Sequence, residues 1–381
     1  MADPRGRGSR PTLPAIADTN LDAASLLYDM AALPDSERNG LGYKRAARAV
    51  AGLAESVVEL VRSNALREVP DIGPSSAAIV AELVEHGHSP TVDAAVARSG
   101  KTTQIRNQRR LRKGFYSHHL LQQALAVHLD ADVVSRADYL GDLQTHSTWS
   151  DGAASIAEMA GACQDLGYRR LGVTDHSYGL PVAHGMSMQA AARQRQEIDR
   201  LNEHFHGAFR IYKGVEANIL ADGALDLTAS ERAQFEYVVA AAHSQLRGRE
   251  DQTNRMLAAV RAPGVAMLGH PRGRRFGERS GVAADWDRVF AAAAELEIAI
   301  ELDGNWHRQD LDFTLASPAL EAGCIFAVDS DGHAPGELPF AEYALAHARI
   351  AGIPADRIIN CWDDERLESW MAERRKALRR T

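Results

Sequence analysis

Gly141–Gly152 reads GDLQTHSTWSDG, and the histidines and acids clustered through the rest of the chain make sense as its partners. A strand turns successive side chains to opposite faces, so in Asp142-Leu143-Gln144-Thr145-His146 the residues Gln144 and His146 share one face. With Asp151 in the turn that follows, that face carries the donors a metal ion takes.

From Tyr139 onward, short apolar runs alternate with helical stretches: YLGDLQTH, RRLGVTDH, FRIYKGVEANI, EYVVAAAHS, VAMLGHP, IAIELDGN and CIFAVDSDGH. Residues 154–166, 189–205 and 286–296 are long enough to be crossover helices. Repeated βα units with buried strands imply parallel pairing, and seven in a row imply a barrel. His146, Asp175 with His176, Glu216, His243, His270, Asn305, and Asp331 with His333 each close or follow one of the runs. In a βα barrel those ends converge on one face, where active sites are built. Buried clusters of imidazole and carboxylate without a metal would leave charges unpaired, so the convergence points to divalent ions.

At 381 residues the chain is expected to hold about two domains of the usual 100 to 200 residues. An apolar fraction of 45%, with 25% charged residues and no long apolar run, places it among globular proteins with no membrane span. The opening MADPRGRGSRPT has basic residues but no apolar stretch after them, so it reads as a disordered tail (1–15) and not a secretory signal. Cys163, Cys324 and Cys361 have no metal or redox spacing, which fits a cytoplasmic location. A net charge of −8 argues against indiscriminate nucleic-acid binding. Two local basic runs stand out all the same: Lys101, Arg106, Arg109, Arg110, Arg112 and Lys113, and a tail at 373–381.

Residues 16–62 place apolar side chains at helical spacing, and VPDIGPSS then makes a turn into a helix that stops near Gly87. A glycine turn before a helix N-terminus presents backbone N–H groups to a phosphate. Residues 16–90 are therefore read as a small all-α domain of helix-hairpin-helix type, and 91–137 as a helical, basic connector. That connector is too short for a nucleotidyltransferase domain. Neither Asp130-Ala131-Asp132 nor Asp310-Leu311-Asp312 has the setting polymerases use for two metals, so the chain is not expected to be a polymerase.

Two resemblances add to this. Residues 16–90 are similar to the N-terminal lyase and helix-hairpin-helix region of family X DNA polymerases, through Tyr43-Lys44-Arg45-Ala46-Ala47 and VPDIG. Asp71 stands where that hairpin has its first glycine, and Ser75 and Ile79 stand where lyase members carry lysines, so those positions offer no amine for a Schiff base and lyase activity is not expected. Residues 138–372 resemble the polymerase and histidinol phosphatase (PHP) domain, in the version found at the C-terminus of bacterial family X polymerases. The resemblance rests on THSTWSDG, Thr174-Asp175-His176-Ser177, Gly214-Val215-Glu216, Ala242-His243-Ser244, Gly269-His270-Pro271-Arg272 and Asp329-Ser330-Asp331-Gly332-His333. It implies a distorted seven-unit barrel holding two to three divalent ions, of manganese, zinc or iron.

Carried over by position, His146, Glu216 and Asp331 would hold one ion, with Gln144 in place of a family histidine. Glu216 would bridge to a second ion with His243 and His270, and Asp151, His176 and His333 would hold a third. An amide oxygen is a neutral and weaker ligand than imidazole. Glu216, His243, His270 and Asp331 are the expected catalytic set, and Arg274 and Arg279 in HPRGRRFGER are suited to clamp a phosphate. His184 is a candidate proton donor.

The fold class is thus an α/β (β/α)-type PHP barrel preceded by a helical domain. The expected activity is metal-dependent phosphoester hydrolysis on DNA ends or nucleotides, a 3′-5′ exonuclease or end-processing role in repair. Two alternatives stand: a small-molecule phosphomonoesterase similar to histidinol-phosphatase, and a non-catalytic DNA-binding or scaffold protein with a decayed site.

Overall fold

A computed structural model describes residues 18–34, 37–127 and 132–379. The tail at 1–15, Asp130-Ala131 and the last two residues of the basic tail lie outside the described residues. The chain divides after residue 127 into two compact units, with 276–278 counted with the first.

The first unit is helical: α1 (Thr19–Ala32), α2 (Glu37–Ala51), α3 (Val57–Arg62), α4 (Pro74–His86), α5 (Pro90–Ser99), α6 (Thr102–Arg110) and α7 (His118–Ala126). Its core joins Ala23, Ala24 and Leu27 to Ala46, Ala47 and Val50, and to Ile79 and Val80. Val92 and Val96 of α5 and Ile105 of α6 belong to the same core. The stretch expected to be a connector is therefore, as far as residue 127, part of the helical body. Its charge conceals this, because α6 contributes a single buried residue, Ile105, among exposed polar ones.

Part of that basic run is also spent internally. Asp29, fully buried, accepts from Arg109 at 2.6 Å and from Arg112 at 2.6 Å. In the hairpin, Asp71 has φ 65°, the left-handed region that glycine occupies most readily and aspartate tolerates. Ile79 is buried in the core.

The second unit alternates strands and helices. In order these are β1 (Gly141–Thr145), α8 (Ile156–Asp165), β2 (Arg170–Val173), α9 (Met188–Phe205), β3 (Arg210–Asn218), α10 (Ala229–Arg232), β4 (Tyr237–Ala241) and α11 (Thr253–Val260). Then follow β5 (Val265–Gly269), α12 (Trp286–Glu295), β6 (Ala299–Asp303), α13 (Phe313–Glu321), β7 (Ile325–Asp329), α14 (Ala341–Ile350) and α15 (Asp364–Lys376). The strands form one parallel sheet in chain order, β1 to β7. It is a nearly closed (β/α)7 barrel, as the seven runs imply. The stretch expected to be a basic tail continues α15 as far as Lys376.

Closure between β1 and β7 rests on side chains. Asp329 accepts from Leu143 N–H at 2.6 Å, and Asp142 accepts from Ser330 N–H at 3.0 Å. Asn360 fills the seam, donating to Gly141 O at 3.0 Å and Asp329 Oδ1 at 2.8 Å and accepting from Val328 N–H at 2.8 Å. Along the strands these bonds stand in for the ladder of the other six pairs; just past their ends the backbones meet, His146 N–H donating to Gly332 O at 2.9 Å.

Candidate metal centre

Glu216 lies in β3, buried to 1% exposure, and both of its oxygens are ringed by imidazoles. His243 Nε2 and His270 Nε2 stand 3.1 and 3.0 Å from Oε1. His146 Nε2 and His176 Nδ1 each stand 3.2 Å from Oε2. On the far side of His146, Asp331 Oδ1 is 3.1 Å from Nε2. Asp151 Oδ1 lies 3.5 Å from His176 Nε2 and 3.4 Å from His333 Nε2. A metal with bonds of about 2.0–2.1 Å sets its tetrahedral ligand atoms about 3.4 Å apart, the spacing of these edges.

The donors form three overlapping groups: His146, Asp151, His176 and His333; His176, Glu216 and His243; and His146, Glu216 and Asp331. All eight residues expected as ligands are brought together. His270 joins through Glu216, and His146 leans toward the Asp151 group as well.

Local structure explains the placement. Gly152 lets the loop after β1 fold back, since a Cβ there would meet His146 O at 2.6 Å. Ala153 N–H then bonds His333 O at 2.7 Å, which brings Asp151 to His333. Asp175 accepts from Ser147 N–H at 2.8 Å and from Gln194 Nε2 at 2.6 Å, so it pins the loops and is not itself among the metal groups. Asn305 caps its own turn by accepting from His307 N–H at 3.1 Å. Asp331, with φ 50°, holds a left-handed backbone at a cost of order 1–3 kcal/mol, which the surrounding bonds sustain.

Burial opposes the charge on Glu216, but His176 and His243 hold its carboxyl well below the usual range. Burial likewise opposes Asp331, and the Arg308 guanidinium holds it far below. Burial raises the Asp151 carboxyl, but the His333 bond and the facing imidazoles bring it down to about 2. Burial pushes His176 down to about 3, which keeps its ring neutral and able to ligate. Several buried atoms here have no hydrogen-bond partner among the described residues: His146 Nδ1, His270 Nδ1, and both Oε1 and Nε2 of Gln144. An imidazole and carboxylate set with orphaned buried atoms fits divalent cations.

Two residues expected to clamp phosphate sit elsewhere. Arg274 is buried, with Nη1 2.7 Å from Asp312 and further bonds to Arg308 O at 2.8 Å and Gln309 O at 2.6 Å. It holds a loop. Arg279 donates to Gly273 O at 2.7 Å, and His184 is exposed in a turn at 181–184. The guanidinium at the centre is Arg308, whose Nη1 lies 2.7 Å from Asp331 Oδ2 and 3.5 Å from Asp303 Oδ2. Sequence reading missed it, together with Glu301 and Asp303 of β6, both wholly buried. The available signal was the position of WHRQD directly after a strand whose own end carries an acid.

A parallel barrel with buried imidazoles and carboxylates on its strand ends defines a metal-binding (β/α) domain of hydrolase type. Residues 142–299 match the model of the PHP domain, and the chain carries that domain. It is 35% identical over 241 residues to a Bacillus subtilis protein named DNA polymerase/3′-5′ exonuclease PolX, covering 63% of this chain and 42% of that one. The chain thus spans less than half the length of that relative. A Thermoanaerobacter protein named "Probable phosphatase" is 27% identical over 249 residues, 62% of this chain and 96% of that one. A solved histidinol phosphate phosphatase from Lactococcus lactis, complexed with zinc, L-histidinol and phosphate, superposes with TM-score 0.42 at 17% identity, covering 55% of this chain and 94% of its own. No helix among the described residues is long and apolar enough to cross a membrane.

Proposed function

We propose that this protein is a metal-dependent phosphoesterase of the PHP type acting on DNA ends or nucleotide phosphate esters, as a 3′-5′ exonuclease or end-processing enzyme. The observation that carries the reading is the convergence of four imidazoles on the two oxygens of Glu216 at 3.0–3.2 Å, with Asp331 and Asp151 completing the donor set. Divalent ions bound there supply a water of lowered pKa and neutralise charge on the phosphoryl oxygens. Glu216, His243 and His270 would hold one ion, and Asp151, His176 and His333 another. Arg308, fixed by its bond to Asp331, is the cationic side chain beside them and the group assigned to orient a phosphoryl oxygen.

The choice of nucleic acid is supported by the Bacillus subtilis relative, whose name gives it a 3′-5′ exonuclease activity, and by the separate helical unit. The phosphatase relative, matched over nearly its whole length, favours small phosphomonoesters as the second reading. Manganese-loaded protein assayed in parallel on 3′-tailed DNA, abasic DNA and small phosphomonoesters separates the two. Preference for a DNA end supports the first, preference for the monoester the second, and hydrolysis of none overturns both.

A further inference from the structure

The three donor groups are not equivalent, and the difference lies in what surrounds each imidazole. A histidine that ligates a metal through one nitrogen is held by an acceptor on the other. His333 meets this condition, its Nδ1 lying 2.8 Å from Asp331 O, and so does His243, its Nδ1 lying 3.2 Å from Asn218 Oδ1. His176 has Asp151 on one ring nitrogen and Glu216 on the other. His146 has no such support: Nε2 lies between Asp331 Oδ1 and Glu216 Oε2, and its buried Nδ1 has no partner among the described residues. His270 shares the orphaned Nδ1, but its group keeps His243 as an oriented ligand.

The group of His146, Glu216 and Asp331 is also the one that already holds a cation. Arg308 Nη1 is 2.7 Å from Asp331 Oδ2, and its guanidinium carries a permanent charge. The loop that brings it there is clamped from behind by Arg274, through the carbonyls of Arg308 and Gln309, and Arg274 is itself anchored on Asp312. On β1 the neighbour of His146 on the same face is Gln144, wholly buried, whose neutral amide brings no charge to bind a metal.

Resting on the PHP phosphoesterase reading above, we infer that this chain holds two divalent ions and not three: Arg308 takes the place of the third as the cation of the His146–Glu216–Asp331 group, and Gln144, on the face of His146, adds no charged ligand for a further ion. With Asp331 paired to Arg308, Glu216 with His243 and His270, and Asp151 with His176 and His333, each still supply one carboxylate and two imidazoles. Arg274 is then a positioning residue for Arg308.

The test is metal stoichiometry of the full chain loaded with excess manganese or zinc and desalted, together with anomalous diffraction at the metal edge. Wild-type protein is expected to retain two equivalents, with no anomalous peak within bonding distance of both His146 and Asp331. The double variant Gln144→His, Arg308→Gln is expected to rise to three, the added peak lying beside Asp331. A third tightly held ion between His146 and Asp331 in the wild type overturns the inference and leaves the metallohydrolase reading intact. Two equivalents in the double variant, with folding confirmed by circular dichroism, overturn it as well. Absence of metal from all three groups after loading overturns the phosphoesterase reading itself, and the inference with it.

Discussion

Glu216 accepts imidazoles on both oxygens, so no other single side chain serves as many of the donor pairs. Glu216→Ala is expected to lower phosphoesterase activity by more than about a hundredfold and to reduce bound metal, measured by turnover and elemental analysis on the same preparation. Unchanged rates with reduced metal would make the ions structural. The helical unit carries a prediction at the same scale. Ile79 is buried in the core and Ser75 has no amine, so borohydride trapping on a 5′-deoxyribose-phosphate substrate is expected to yield no adduct within 18–90. The ligands were legible because each stands at or just past the end of an apolar run, where a βα barrel gathers them. Arg308 was not, because a guanidinium in a polar loop reads as solvated until the fold sets Asp331 beside it. Arg274 misled for the reverse reason: its neighbourhood in sequence is rich in arginine, yet Asp312 and two carbonyls absorb it.

At the scale of elements, the β1–β7 seam is the weak join of the barrel, and Asn360 makes three buried bonds across it. Asn360→Ala strands Gly141 O and Val328 N–H without partners, and is expected to cost about 3 kcal/mol, read from the midpoint of urea denaturation. The same seam sets a pH dependence. Burial is the main cause that pushes the Asp329 carboxyl up to about 6, while the Leu143 N–H and Asn360 bonds pull the other way. The folded chain therefore binds a proton that the unfolded chain has released. The contribution of this group is full below about pH 4 and is lost as the pH rises through about 6. Asp329→Asn is expected to flatten the fall in stability over that interval; a slope unchanged from wild type would assign it to other groups. The strands and crossover helices were legible from their periodicity. The seam was not, because periodicity does not show that the carboxylates of Asp142 and Asp329 bond backbone N–H groups across it.

For the whole molecule, the chain's two compact units differ in what holds them. The helical unit rests on an apolar core of alanine, valine, isoleucine and leucine, with Asp29 neutralised by two arginines. The barrel contains all eight proposed ligands, and six of its seven strands, all but β6, carry one at or just beyond the C-terminal end or, for Glu216, within the strand. Stripping the ions leaves Glu216 and Asp151 with imidazoles to balance them and Asp331 with His146 and Arg308. Each ion held at a hundred times its dissociation constant adds about 2.7 kcal/mol to the folded state, all of it in the barrel. Chelation is therefore expected to raise hydrogen exchange in the segments around 146–153, 174–177, 242–244, 268–271 and 330–334, and to leave 19–126 unchanged. Hydrogen-exchange mass spectrometry with and without chelator reads both in one experiment. Equal deprotection of both units would mean that the metals stabilise the chain as a single cooperative body. No change in either would mean that the strand-end clusters hold their geometry through hydrogen bonds and ion pairs alone, with His146 bonded to Asp331 and Arg308 as the only cation the centre requires.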